Sequence, residues 1–157
     1  MPISTINGAS TGGSGTVMVS GNMPAFIATA SSNQSITANV ATKINFNNAS
    51  VNTNSNYNTS TYRFTPTVAG YYQISGTVQI QTINTACVGV PVLYKNGAVY
   101  MYGGSCPATA NNYPLVTVSG LVYLNGSTDY VEFYGLSVDV STTAVGFNFQ
   151  GVLVRAA

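Results

Sequence analysis

Apolar and polar residues alternate with a period of two through the middle of this 157-residue chain. Tyr72, Ile74, Gly76, Val78 and Ile80 fall on one face, with Tyr71, Gln73, Ser75, Thr77 and Gln79 on the other. This pattern predicts a half-buried antiparallel strand. Shorter β-type runs occupy residues 24–28, 42–46, 88–94, 98–102, 115–124, 130–136 and 147–154, with Gly120 interrupting the run at 115–124. Turn signals separate them: Pro66 ahead of Gly70, Lys95-Asn96-Gly97, and Asn125-Gly126. Residues 47–60, rich in Asn, Ser and Thr around Val51 and Tyr57, read as a loop. No stretch carries a helical period. Short strands with a turn signal about every ten residues predict an all-β sandwich or barrel.

Residues 1–22 differ in kind. Gly, Ser and Thr dominate, as in Ala9-Ser10-Thr11-Gly12-Gly13-Ser14-Gly15. That composition predicts a flexible N-terminal arm on a folded domain of residues 23–157. Fully extended, the arm reaches on the order of 70 Å. Ile3, Ile6, Val17 and Val19 are its apolar residues with which to dock on a partner. The start at Met1 has neither the basic stretch nor the apolar core of a signal peptide, and no apolar run approaches the ~20 residues of a membrane span. The expectation is a small complete protein made in the cytoplasm, with no membrane partner.

Composition narrows the chemistry further. Only 4% of residues are charged, against roughly 25% in an average soluble domain. Ser, Thr, Asn, Gln and Gly must carry solubility, which gives a neutral surface insensitive to salt. Lys43, Arg63, Lys95 and Arg155 are far apart in sequence, so no basic patch for nucleic acid is expected. There is no His, hence no base for a conventional triad. Asp129 reads as a turn residue and Glu132 as a solvated strand start, and with Asp139 they form no acidic cluster. Gly12-Gly13-Ser14-Gly15 lacks the strand, the Lys and the helix of a phosphate-binding loop. No catalytic residue, metal site or cofactor is expected, and the protein reads as a non-enzyme.

The two cysteines flank the Asn96-Gly97 turn. A two-residue loop there sets Lys95 opposite Ala98, and counting outward in that register sets Cys87 opposite Cys106. A three-residue loop would shift the register by one, which a bulge at Gly103-Gly104 would restore. The expectation is a Cys87–Cys106 disulfide worth about 3 kcal/mol; the alternative is two free thiols in a reducing cytosol.

Several segments together resemble the globular-head family of complement component one-q and the related tumour necrosis factor superfamily. They are Phe64-Thr65-Pro66 through Val78, the hairpin Val92-Leu93-Tyr94-Lys95-Asn96-Gly97, the segment Leu124-Asn125-Gly126-Ser127-Thr128-Asp129-Tyr130-Val131, and the closing Phe149-Gln150-Gly151-Val152-Leu153-Val154. The chain is most similar to the version of this domain in structural proteins of tailed phages, those of cyanophages especially. The match there is Arg63 to Tyr72, Tyr123 to Tyr130 and the terminal Val154-Arg155-Ala156-Ala157. The resemblance implies a jelly roll of about ten strands, assembling as a tight homotrimer, in a binding rather than a catalytic role. Tyr71, Tyr72, Phe147 and Phe149 are the candidates for the trimer interface, since Tyr buries a large ring while keeping a polar tip. The acidic calcium-binding loops of many complement-type heads are absent, as is a collagen-like Gly-X-Y stalk.

The expected function is a trimeric capsid decoration, or cement, protein on the outer surface of a virion. Its partners would be its own copies and the major capsid protein, with the arm lying across capsomer junctions. The alternative is the receptor-binding head of a tail fibre or spike, with a host surface glycan as partner.

Overall fold

The alternation at residues 71–80 lies within the long strand Ala69–Gln81, whose inward residues Tyr72, Ile74, Gly76, Val78 and Ile80 are all buried. The computed structural model describes residues 23–81, 86–108 and 113–157. Strands β1 (Ala25–Thr29), β2 (Gln34–Ile36), β3 (Thr42–Lys43), β4 (Asn48–Asn52), β5 (Tyr57–Asn58) and β6 (Arg63–Phe64) precede the long strand, β7 (Ala69–Gln81). After it come β8 (Cys87–Lys95), β9 (Ala98–Tyr102), β10 (Cys106–Ala108), β11 (Leu115–Asn125), β12 (Val131–Val138) and β13 (Thr142–Ala156).

These strands form two antiparallel sheets, the sandwich that the strand pattern predicts and the jelly roll that the resemblance implies. Sheet A runs β11-β7-β13-β1-β4, with β2 also on β13. Sheet B runs β10-β8-β12-β6-β5, with β3 also on β12 and β9 on β8. The expected count of about ten strands falls short because β2, β4, β5 and β10 are brief and polar or lie in Asn- and Pro-containing sequence.

Aromatic rings fill the space between the sheets. Phe26 of sheet A stacks on Phe64 of sheet B at 4.4 Å between centroids and on Tyr57 at 5.0 Å, and meets Phe149 edge-on at 4.9 Å. Phe46, Phe133 and Tyr72 extend the cluster, all at most 1% exposed. Stacked and edge-on pairs of this kind each add about 0.5–1.5 kcal/mol beyond the area they bury. Two buried phenols find backbone acceptors: Tyr57 Oη donates to the Phe46 carbonyl at 2.9 Å, and Tyr72 Oη to that of Val68 at 2.6 Å. Gly76 leaves room for the Phe133 ring, which a Cβ there would strike.

Local chemistry departs from the sequence pattern in four places. Residues 47–60 contain β4, β5 and a 3-10 turn at Thr53–Ser55 rather than a bare loop. Asn52 organises them: its side chain donates to the Tyr57 carbonyl at 2.9 Å and accepts from the Tyr57 N–H at 2.8 Å, imitating a strand partner. The run at 42–46 stops being a strand after Lys43. The Phe46 N–H turns back to the Ile44 carbonyl at 3.1 Å while Ile44 and Phe46 stay buried. Gly120 does not interrupt β11, which is continuous and pairs there with Ile74. Its missing side chain makes room for Met101, whose Cε would lie 2.5 Å from a Cβ.

The fourth departure is the cysteine pair. The Asn96-Gly97 turn has positive φ at both residues, 53° and 78°, and Lys95 faces Ala98 as expected. One extra residue then enters the second arm between Val99 and Met101, and another before Cys106, so Cys106 lies opposite Gly89 and Cys87 opposite Ala108. The even shift keeps both thiols on one face but diagonal, where Cα atoms stand about 7–8 Å apart; disulfides need less. Both cysteines are free.

Candidate assembly and contact surfaces

Sheet A presents an outer face with almost no charge. Among the residues of its six strands, only Arg155 is ionisable to a full charge at neutral pH. Cross-strand registers lay out two rows on this face. Leu121, Gln73, Val152 and Ala25 form one, and Ser119, Ser75, Gln150, Ile27 and Val51 the other. Tyr71 and Tyr123 pair beside them with ring centroids 5.4 Å apart. A shallow depression of about 250 Å³ opens among Ala25, Ile27, Val51, Gln73, Gln150 and Val152. The polar groups satisfy one another within the face: Gln73 Nε2 donates to Ser119 Oγ at 2.9 Å, and the Thr77 and Thr117 hydroxyls meet at 2.9 Å.

Two bulges in β13 add to the apolar surface. Each inserts one unpaired residue, Phe147 and Val154, and leaves it 46% and 58% exposed. A bulge re-aims a side chain that strict alternation would place elsewhere.

Sheet B is organised around a buried acid. Glu132 points to the outer side of β12, yet its side chain is only 1% exposed. Lys43 Nζ from β3 and Arg63 Nε from β6 both donate to its Oε1, at 2.5 and 2.6 Å. Tyr134 Oη donates to Oε2 at 3.4 Å. Burial alone would push this carboxyl up, but the hydrogen bonds and charges of Lys43 and Arg63 outweigh it and hold it below the usual carboxylate range. Tyrosines flank the cluster. Arg63 lies 4.2 Å above the Tyr130 ring, and Tyr94 stacks on Tyr134 at 3.9 Å. Burial, then the Glu132 charge, pushes the Tyr134 phenol up to about 12.

At one end of the sandwich the β8–β9 hairpin folds over the edge of sheet A. Lys95 Nζ donates to the Tyr123 carbonyl at 2.8 Å, and Tyr100 Oη to the Leu121 carbonyl at 3.1 Å. Both carbonyls lie on β11, the terminal strand of sheet A. Lys95 also pairs with Asp129 at 3.0 Å. Asn96 donates to Asp129 at 2.7 Å and accepts from the Tyr130 N–H at 3.0 Å. The Asn96 hydrogen bond, followed by Lys95 and the Asn125 N–H, holds Asp129 below its usual range despite partial desolvation. Asn125 Oδ1 accepts the N–H groups of Ser127, Thr128 and Asp129 and so closes the β11–β12 turn.

The family model of the C1q domain matches residues 25–136, well over half of the chain. The chain belongs to the C1q domain family. No curated protein matches this C1q domain in sequence. Among solved structures it is similar to the globular domain of the zebrafish complement 1qA protein, with a TM-score of 0.62 and 15% identity over 86% of this chain and 99% of that one. It is also similar to murine APRIL, with a TM-score of 0.62 and 9% identity over 84% and 99% of the two chains. PRD1 vertex protein P5 has a TM-score of 0.55 and 19% identity, covering 85% of this chain and 96% of its own. Identities this low establish a shared fold.

This C1q domain divides the four predicted interface aromatics. Tyr71 and Phe147 are exposed on sheet A, 42% and 46%. Tyr72 and Phe149 are fully buried inside the protomer, where Tyr72 faces Phe64 and Phe149 faces Phe26. They have no surface to offer a partner, which corrects that expectation; alternation alone puts only one of two consecutive tyrosines outside. Ile3, Ile6, Val17 and Val19 lie outside the described residues. Glu132 is corrected from a solvated strand start to a buried acid shared by two cations. Its signal in the sequence is slight: an acid between Val131 and Phe133, both core residues, on a strand otherwise free of charge. Among the described residues no group of three or more Cys, Asp or Glu is gathered to hold a metal ion.

Proposed function

We propose that the protein is a non-enzymatic structural component of a phage virion, a homotrimeric capsid decoration protein. The observation that carries this reading is the outer face of sheet A, with Tyr71, Tyr123, Leu121, Ile27, Val152 and Val154 exposed around a shallow depression and Arg155 as its one charge. Contiguous apolar surface of this kind marks a place of contact, and a face so poor in charge suits association that salt does not weaken. Self-association through it agrees with the trimer expected of this family, and the likeness to a vertex protein favours a place on a particle. Residues 1–22 precede β1 in sequence, and their part would be to cross to neighbouring capsid subunits. A clamp that binds only the assembled lattice stabilises it by mass action.

The receptor-binding reading draws on sheet B instead. Tyr94, Tyr130 and Tyr134, with Lys43 and Arg63 among them, offer ring faces and donors to a host glycan.

Electron cryomicroscopy of virus heads stripped of this protein and then incubated with it separates the two. Density at symmetric capsid positions, lost when residues 1–22 are deleted while trimers persist, supports decoration. Density on the tail alone, or undiminished head binding by the truncated chain, overturns decoration or the arm's part in it.

A further inference from the structure

Arg155 occupies a position that alternation would bury. Leu153 points into the core, 3% exposed, so the residue two further along an unbroken strand would point inward too. The bulge at Val154 adds a residue, and Arg155 instead turns outward opposite Tyr71. Tyr71, Leu121, Val154 and Arg155 together line an open depression of about 280 Å³.

The chain's other charged side chains leave Arg155 no counterion. All four cations and three acids lie in described residues. Glu132 holds Lys43 and Arg63, and Asp129 holds Lys95. That leaves Asp139 as the one acid outside an ion pair. It sits in the turn before β13, at the opposite end of that strand from Arg155, roughly 40 Å away at strand spacing. The residues that share the face with Arg155 carry no other charged side chain, so a second copy covering this face brings no side-chain carboxylate. Covering an unpaired guanidinium is strongly unfavourable, and its planar donors fit an oxyanion in a bidentate way.

We propose that Arg155, with the Tyr71–Leu121–Val154 depression, is an anion site that takes a small inorganic oxyanion of the phosphate class as counterion when copies of the chain cover sheet A. This rests on the trimer reading above. The full chain and Arg155→Gln are compared by sedimentation and by thermal unfolding, in phosphate against chloride at equal ionic strength. Phosphate also stabilises proteins generally by exclusion from their surface, so the readout is the difference between the two chains. The expected result is a phosphate-dependent rise in Tm of about 3–5 °C in the parent, absent from a variant that still sediments as a trimer. A trimeric parent whose response equals that of Arg155→Gln, or that has none, overturns the anion site and leaves the trimer standing. A monomeric parent overturns the trimer, and without an Arg155-dependent response it overturns the site as well; with one, the site stands alone.

Discussion

The outer faces of the two sheets use charge in opposite ways. The strands of sheet A carry one charged residue, Arg155, while those of sheet B carry Lys43, Arg63, Lys95 and Glu132. On sheet B the charges are spent inside the protomer. Glu132 ties the two-residue strands β3 and β6 to β12, where backbone pairing amounts to two registered residues and one. Strands that short cannot hold themselves by backbone hydrogen bonds, and a shared acid supplies what they lack. Sheet A needs no such ties, because β7, β11 and β13 pair along most of their length. Its outer residues are therefore free to be apolar. In a chain so poor in charge, ion pairs fasten the weak sheet and leave the strong one available for contact.

Placing a charge on sheet A tests this contrast most severely. Val51→Asp should weaken self-association at least ~100-fold, about 2.7 kcal/mol, because a carboxylate remote from Arg155 would be covered unpaired. The isolated fold should change by no more than about 0.5 kcal/mol, since Val51 is exposed on the terminal strand β4. Sedimentation and denaturant unfolding read the two effects separately. Removing the charge from sheet B should do the reverse. Glu132→Ala should cost about 2–3 kcal/mol of folding stability, less than for a fully enclosed pair because Lys43 and Arg63 reach water, and should leave association intact. Faster hydrogen exchange confined to the neighbourhood of β3 and β6 would locate the loss.

Titration sharpens the same comparison at lower cost. The folded pKa of Glu132 is depressed, so its contribution is present above the ordinary value of 4.5 and is lost as pH falls through the folded value. Acid should therefore loosen sheet B before sheet A. At the alkaline end, Tyr72 and Tyr134 are raised from 10.0 to about 12. Their contribution is complete below pH 10 and is lost between 10 and 12, as the unfolded chain ionises first. Denaturant midpoints across both windows check each sign. The smallest effect separates two adjacent tyrosines. Tyr72→Phe should cost about 1 kcal/mol through the lost bond to the Val68 carbonyl, and Tyr71→Phe should cost the protomer nothing measurable.

These contrasts also mark what the sequence makes legible. The inward face of β7 and the Asn96-Gly97 turn are local patterns, and they appear in the structure at the expected residues. The alternation rule fails where an extra residue enters a strand. The bulges before Met101 and Cys106 separate the cysteines, and those at Phe147 and Val154 break the alternation of β13; Gly103-Gly104 is the mark of the one before Cys106, and the others have no mark such as an inserted Asn-Gly. Glu132 was hidden for another reason. Its partners are 89 and 69 residues away, and no periodicity in one strand reports who will cross over it. Asn52 and Tyr57 show the same limit at short range, where an amide side chain takes the place of a strand that composition reads as loop.

The hairpin donors Lys95 and Tyr100 have a bearing on what the chain avoids. An eleven-residue terminal strand with bare carbonyls is a template on which further chains can grow without limit, and a protein with seven charged side chains in all has little mutual repulsion to keep its copies apart. Two side chains occupying the carbonyls of Leu121 and Tyr123 blunt that template. Growth by strand addition is obstructed at β11, the longest terminal strand, while the face of sheet A stays open to contacts that can close on themselves and stop at a fixed number.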